Sequence, residues 1–109
     1  MDKITNTRCV VTGLGMISAI GNNVEECFAN ALAGKTGIDK VASVDTTDCY
    51  ANLGAEVHCD TLDEIDEAKE VDRVSKLCLK ASKEALDDAG LVIDESNAGR
   101  VGVVMGSCV

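Results

Sequence analysis

Apolar residues are concentrated in two β-branched runs near the two ends of the chain. Residues 8–21 read Arg-Cys-Val-Val-Thr-Gly-Leu-Gly-Met-Ile-Ser-Ala-Ile-Gly, and residues 100–109 read Arg-Val-Gly-Val-Val-Met-Gly-Ser-Cys-Val. Short, nearly continuous apolar runs that contain glycine are typical of strands buried on both faces. Both runs are therefore predicted as buried strands. Because the second reaches residue 109 without a polar turn, we expect the chain to be the front piece of a larger α/β protein.

A first helix is predicted directly after the first run. Asn23 followed by Glu26 resembles a capping box, in which side chains satisfy the free N–H groups of the first turn. Gly34 supplies the left-handed residue that ends a helix. Between them, apolar residues recur at helical spacing and form one stripe: Val24, Cys27, Phe28, Ala31 and Leu32.

A second, longer helix is predicted over residues 71–89, ending at Gly90. Its apolar stripe consists of Val74, Leu77, Cys78, Ala81, Ala85 and Ala89. The opposite, solvent-facing side is predicted to carry the charged residues Lys76, Lys80, Lys83, Glu84, Asp87 and Asp88.

The remaining segments have weaker patterns. Residues 35–59 are predicted to be irregular except for a short strand at 53–57, and a short helix is predicted over residues 62–68. The last strand is predicted to begin after a turn at residues 97–99. Two apolar strands separated by helices imply a right-handed crossover with parallel pairing. The predicted class is α/β.

The formal net charge is −9, from 19 acidic and 10 basic residues. Nucleic-acid binding is disfavoured, since contact with phosphates requires clustered Lys and Arg. Much of the acidic excess lies in one run, interpreted as a solvated surface: Asp60, Asp63, Glu64, Asp66, Glu67, Glu70 and Asp72. No apolar run approaches the ~20 residues that span a bilayer, and no secretory signal is visible, so membrane association is not expected. An apolar fraction of 46% supports a core.

Six cysteines stand at positions 9, 27, 49, 59, 78 and 108, with no Cys-x-x-Cys pair. Several fall at apolar positions of predicted elements, where a free thiol behaves as a small hydrophobic group. We interpret them as structural thiols rather than metal ligands or disulfides. Free thiols fit a reducing cytoplasm.

The sequence Gly13-x-Gly15-x-x-Ser18 is close to the glycine pattern of dinucleotide-binding loops. In that pattern the glycines let a pyrophosphate approach backbone N–H groups at a helix N-terminus. Here the third glycine is replaced by Ser18, and the helix begins several residues late. Glycines that shape a tight connection explain the residues better, and a small nucleotide-binding α/β module remains an alternative.

Four blocks in chain order resemble another family. Residues 12–21 read Thr-Gly-Leu-Gly-Met-Ile-Ser-Ala-Ile-Gly, and residues 32–38 read Leu-Ala-Gly-Lys-Thr-Gly-Ile. Residues 84–91 read Glu-Ala-Leu-Asp-Asp-Ala-Gly-Leu, and residues 100–107 form an apolar run closed by Gly-Ser. Together they resemble the β-ketoacyl-[acyl carrier protein] synthases, the condensing enzymes of fatty-acid and polyketide synthesis, most closely the elongating type.

The resemblance implies a partial thiolase-like fold, in which residues 1–109 form the N-terminal portion of a βαβαβαββ half. It also implies an acyltransferase that joins an acyl thioester to a malonyl unit on acyl carrier protein with loss of CO2, usually as a homodimer. The family uses a cysteine nucleophile, two histidines and an oxyanion hole. No cofactor is implied.

None of those catalytic residues matches a position in this chain, so the chain alone is expected to be inactive. His58, the single histidine, is predicted to face solvent, and Cys108 stands at a glycine of the family motif rather than in its nucleophile turn. Val109 matches an isoleucine that lines the acyl-chain pocket in elongating members, which implies a latent substrate-binding position. A non-catalytic half-domain that acts through exposed apolar faces and an unpaired sheet edge is a further alternative.

Overall fold

The computed structural model describes residues 8–64 and 70–106. Helix α1 spans Val24–Leu32, strand β1 spans Ile38–Lys40, and strand β2 spans Leu53–Ala55. A 3₁₀ helix follows at Asp60–Glu64. The chain then forms helix α2, Arg73–Ala89, and a second 3₁₀ helix at Ala98–Arg100.

Helix α1 begins and ends as predicted. Asn23 is the N-cap, and its Oδ1 accepts a hydrogen bond from the Glu26 N–H at 2.8 Å. The Glu26 carboxylate returns to the Asn22 N–H at 2.8 Å, so the capping box is displaced by one residue from its usual form. Gly34, with φ of 68°, supplies the left-handed residue after the helix.

Helix α2 is also confirmed, beginning two residues later than predicted. The Asp72 carboxylate caps it by accepting the Ser75 N–H at 2.9 Å. Hydrogen bonds from Ser75 hold the pKa of Asp72 below its ordinary value. At the other end Gly90 adopts φ of 60° and the Leu91 N–H donates to the Leu86 carbonyl at 3.0 Å. This is the Schellman arrangement, which requires a residue that tolerates the left-handed region.

The sheet has two antiparallel strands, β1 and β2, within the described residues. The register pairs Ile38 with Ala55 and Lys40 with Leu53. Strand β2 confirms the first three residues of the strand predicted at 53–57. Strand β1 lies in the segment predicted to be irregular, because three residues are too few to show a period of two.

The two predicted buried strands are wrong as local structure. Residues 8–17 and 101–106 form no strand ladder, and the described part of the chain contains no parallel crossover. Val11 is 78% exposed and Val104 is 96% exposed. Strand pairing depends on a neighbouring backbone. Neither segment meets a neighbouring strand among the described residues, and most of the valines in both remain exposed.

The acidic stretch is only partly described. The predicted helix at 62–68 corresponds in part to the 3₁₀ helix Asp60–Glu64, and residues 65–69 lie outside the described residues. Leu62 is buried at 2% exposure. The Lys80 ammonium donates to the Thr61 hydroxyl at 3.2 Å, and this bond ties the 3₁₀ helix to α2.

The expected core is nearly absent from the described residues. Only two apolar residues there are buried, Cys27 and Leu62. The Cα radius of gyration is 18.1 Å, against about 13 Å for a compact domain of about 100 residues. The side chains that a self-contained domain would bury therefore lie on the surface. Among the same residues, no helix combines the length and apolar character that crossing a bilayer requires.

Candidate functional site

Residues 13–16, which we call the glycine segment, lie along α2 at backbone contact distance. A Cβ added at Gly13 would approach the Ala85 carbonyl and lie 2.7 Å from the Ala89 backbone nitrogen. A Cβ at Gly15 would approach the Ala81 carbonyl and lie 2.8 Å from the backbone nitrogen of Ala85. These glycines and the predicted alanine stripe of α2 thus allow backbone-to-backbone contact.

The N–H groups of the glycine segment point to carboxylates of α2. The Leu14 N–H donates to Asp88 Oδ2 at 2.9 Å, and the Met16 N–H donates to Glu84 Oε2 at 2.9 Å. Asp88 is exposed, as predicted, whereas Glu84 is half-buried, and both carboxylates accept hydrogen bonds that the sequence did not predict. The two-residue step along the segment, about 6.6 Å when extended, matches the four-residue step of the helix, about 6 Å.

This geometry argues against a nucleotide site at the Gly-x-Gly sequence. A phosphate needs free N–H groups and open space above the glycines. Here the N–H groups of Leu14 and Met16 already donate to two anions, and α2 occupies the space beside both glycines. Carboxylates at this place would also repel a phosphate.

Ser18 and Cys27 take part in a tight turn beside α1. Ser18 and Gly21 form an isolated antiparallel bridge, with N–H to carbonyl distances of 2.9 and 3.3 Å. The Ser18 hydroxyl lies 3.1 Å from the thiol of Cys27, which is 2% exposed. A Cβ at Gly21 would lie 2.6 Å from the Cys27 backbone nitrogen. Ser18 therefore has a structural role, and Cys27 fits the prediction of a buried structural thiol.

The other described cysteines fit that prediction less well. Cys9 and Cys49 are exposed, whereas Cys59 and Cys78 are half-buried, and all are free thiols. Within residues 8–64 and 70–106, no group of three potential ligands is arranged to hold a metal ion.

A polar cavity of about 240 Å³ opens beside the turn. Asn22 Oδ1, in its wall, is buried and has no hydrogen-bond partner within the described structure. Lys35 and His58 also line the cavity. Gly37 packs against the turn, since a Cβ added there would lie 2.6 Å from the Ala19 Cβ. Residues 32–38 therefore contact residues 12–21, the first of the four blocks.

A second cavity, of about 640 Å³, lies between the β2 loop and α2. The Glu56 carboxylate accepts the N–H groups of Ala42 and Ser43 at 2.7 and 3.1 Å. Hydrogen bonds from Ser43 and then Ala42 hold the pKa of Glu56 below its ordinary value. The Arg73 guanidinium donates to the Val57 carbonyl, which joins this loop to the start of α2.

The site residues predicted from the sequence are not brought together in the described structure. His58 is exposed, as predicted, and borders both cavities. Cys108 and Val109 lie outside the described residues, so the acyl-pocket position at Val109 stays a prediction. Sequence reasoning missed the roles of Glu84 and Asp88. The available signal was their four-residue spacing, which matches the two-residue spacing of the glycines on the facing segment.

Comparison with known sequences decides the family. The sequence model for the "Beta-ketoacyl synthase, N-terminal domain" matches residues 6–109. The chain belongs to the β-ketoacyl synthase family. This confirms the resemblance, and with it the α/β class of the thiolase-like fold at the level of the family.

Individual relatives agree with this assignment. The chain is 42% identical over 105 residues to the 3-oxoacyl-[acyl-carrier-protein] synthase 2 of Staphylococcus aureus strain COL, covering 94% of the chain and 25% of the relative. It is 36% identical over 107 residues to the protein of the same name from Vibrio cholerae, covering 95% of the chain and 26% of the relative. The chain thus spans about a quarter of the length of these β-ketoacyl synthases.

Proposed function

We propose that residues 1–109 are the N-terminal portion of the N-terminal domain of a 3-oxoacyl-[acyl-carrier-protein] synthase of fatty-acid biosynthesis. The observation that carries the proposal is the family match over residues 6–109, together with 42% identity to a synthase of that name. The nucleotide-binding alternative loses support because Leu14 and Met16 donate to carboxylates.

The proposed reaction is a decarboxylative Claisen condensation. An acyl group held as a thioester on a cysteine is attacked by the carbanion formed when malonyl-acyl carrier protein loses CO2. The new carbon–carbon bond forms as the acyl–sulfur bond breaks, which yields 3-oxoacyl-acyl carrier protein and frees the thiolate. Backbone N–H groups stabilise the thioester oxygen, and two histidines stabilise the enolate.

We place the nucleophile and both histidines in the remaining three quarters of a whole synthase. In this chain His58 is exposed, and the buried thiol of Cys27 lies against the Ser18 hydroxyl, 3.1 Å away. The role assigned to this chain is to supply part of the framework and, through Val109, one wall of the acyl pocket.

The finer fold is part of the proposal. We propose that residues 8–14 and 100–106 become parallel strands of one sheet when the rest of the synthase is present. Their β-branched composition and high exposure favour this, since apolar edges of this kind pair when a partner is available. Acyl carrier protein and a second copy of the whole synthase are the proposed partners.

A chimera tests the proposed function. Residues 6–109 replace the corresponding quarter of the S. aureus synthase, and condensation is followed as CO2 release and 3-oxoacyl product from acyl- and malonyl-acyl carrier protein. We expect an active chimera, whereas the 109-residue chain alone is expected to be inactive. A folded, dimeric chimera without condensation activity would contradict the proposal and favour a non-catalytic half-domain. Activity of the isolated chain would contradict the assignment of its catalytic groups.

A further inference from the structure

One carboxylate, that of Glu84, accepts hydrogen bonds from two separate elements. Its Oε2 accepts the Met16 N–H at 2.9 Å, and its Oε1 accepts the Val24 N–H, also at 2.9 Å. Met16 ends the glycine segment, and Val24 is the first residue of α1. Glu84 itself is half-buried in the middle of α2.

Both donors have a physical need for this acceptor. The Val24 N–H belongs to the first turn of α1, where N–H groups have no partner within the helix. The Met16 N–H belongs to a segment without a neighbouring strand in the described structure. A negative charge beside a helix N-terminus is further stabilised by the helix dipole. The bond from Val24 is part-buried, which strengthens it relative to an exposed site, whereas the bond from Met16 is exposed.

The two bonds hold both ends of one loop, residues 17–23. That loop contains the Ser18–Gly21 bridge and Asn22, whose buried Oδ1 lies in the wall of the polar cavity. Glu84 thus holds the loop where it leaves the glycine segment and where it enters α1. Asp88, one helical turn away, binds Leu14 and fixes the register of the segment on α2.

We infer that Glu84 is a positioning residue whose two oxygens couple the glycine segment and α1 to α2 as one unit. The coupling requires a carboxylate rather than any hydrogen-bonding side chain. A glutamine has an NH2 donor in place of one of the two oxygens. Because the two N–H groups bind different oxygens of Glu84, a glutamine in the same position can accept only one of them. This role is independent of acyl transfer.

Amide hydrogen exchange of the 109-residue chain, resolved by NMR, tests the inference. In Glu84→Ala, the amides of Met16 and Val24 are expected to exchange faster by about tenfold or more, since bonds to charged groups are lost. In Glu84→Gln, the exchange of only one of the two is expected to accelerate. Asp87→Asn, which removes an exposed charge from the same helix, is the control and leaves both unchanged.

Asp88→Ala separates coupling from general loosening of the segment. This variant is expected to accelerate amide exchange at Leu14 and to leave exchange at Val24 unchanged, because Asp88 accepts the Leu14 N–H and Glu84 accepts the Val24 N–H. The inference is overturned if Glu84→Gln leaves both amides as protected as in the parent chain. It is also overturned if Glu84→Ala leaves Val24 protected, or if Asp88→Ala and Glu84→Ala release Val24 equally.

Discussion

The glycine segment and residues 101–106, which we call the C-terminal apolar segment, both expose large apolar side chains but differ in what their backbones contact. Both are short and consist of glycine and apolar residues. The first lies on α2 with its N–H groups on Glu84 and Asp88. The second has Val104 96% exposed and Met105 also exposed. The difference shows that an apolar run packs in a defined position only when a surface with complementary shape and hydrogen-bonding groups faces it.

The surface of α2 that faces the glycine segment consists of alanines and of two acidic residues spaced four positions apart. Alanines allow the backbones to touch, and carboxylates four residues apart accept every second N–H of the segment. The C-terminal apolar segment meets no such surface among the described residues. We expect it to pair as a strand only in the context of a whole synthase.

The largest expected effect on the stability of the 109-residue chain comes from breaking the glycine contact. Gly15→Ala places a Cβ against backbone atoms of α2 that cannot rotate away, and overpacking of this kind costs about 1–3 kcal/mol. Urea unfolding followed by circular dichroism measures the free energy. Gly102→Ala, where an added Cβ meets nothing within 4 Å, is the matched control. Equal stability of the two variants would show that the segment is not held against α2.

A substitution at Asn23, the N-cap of α1, tests the part of the molecule that Glu84 links to the glycine segment. Asn23→Ala removes the acceptor of the Glu26 N–H and is expected to lower the free energy of unfolding by about 1 kcal/mol. Asn23→Ser retains a capping oxygen and is expected to restore most of it. The same unfolding curves report both. A loss as large in the serine variant would indicate that packing rather than capping is affected.

The cap substitution concerns a feature that is evident in the sequence, whereas the glycine contact with α2 is not. Asn23, Gly34 and Gly90 mark helix ends through local backbone chemistry, so both helices can be predicted within two residues. The orientation of Glu84 and Asp88 cannot, because it depends on a segment about 70 residues away in the chain. The predicted burial of the two apolar runs is wrong for a related reason, since burial is set by partners that local pattern does not specify.

The C-terminal apolar segment is expected to tolerate a charged residue in the 109-residue chain. Val104→Lys should change the free energy of unfolding of the 109-residue chain by no more than about 0.5 kcal/mol, because the side chain already lies in water. In the chimera with the S. aureus synthase the same substitution should abolish folding or activity, because it would bury an unpaired charge. Equal tolerance in both proteins would mean that the segment stays exposed in the whole synthase.

The smallest expected effect concerns the hydrogen bonds of the Glu56 carboxylate, whose contribution to stability depends on pH. Its hydrogen bonds to Ser43 and Ala42 favour the ionised form and lower the pKa in the folded state. Their contribution is complete above the ordinary glutamate pKa and is lost as the pH falls through the lower folded-state value. NMR titration of the Ala42 and Ser43 amides should show that transition, and Glu56→Gln should remove it. A midpoint at or above the ordinary glutamate value would contradict the assignment.

The most direct test of the central claim is hydrogen exchange of the same amides in two proteins, the 109-residue chain and the chimera. We predict that Met16 and Val24 are protected in both, because Glu84 lies within the chain. Residues 101–106 should be unprotected in the chain and protected in the chimera, where strand pairing becomes available. An active chimera in which residues 101–106 exchange as fast as in the isolated chain would contradict the claim that the rest of a synthase completes this strand.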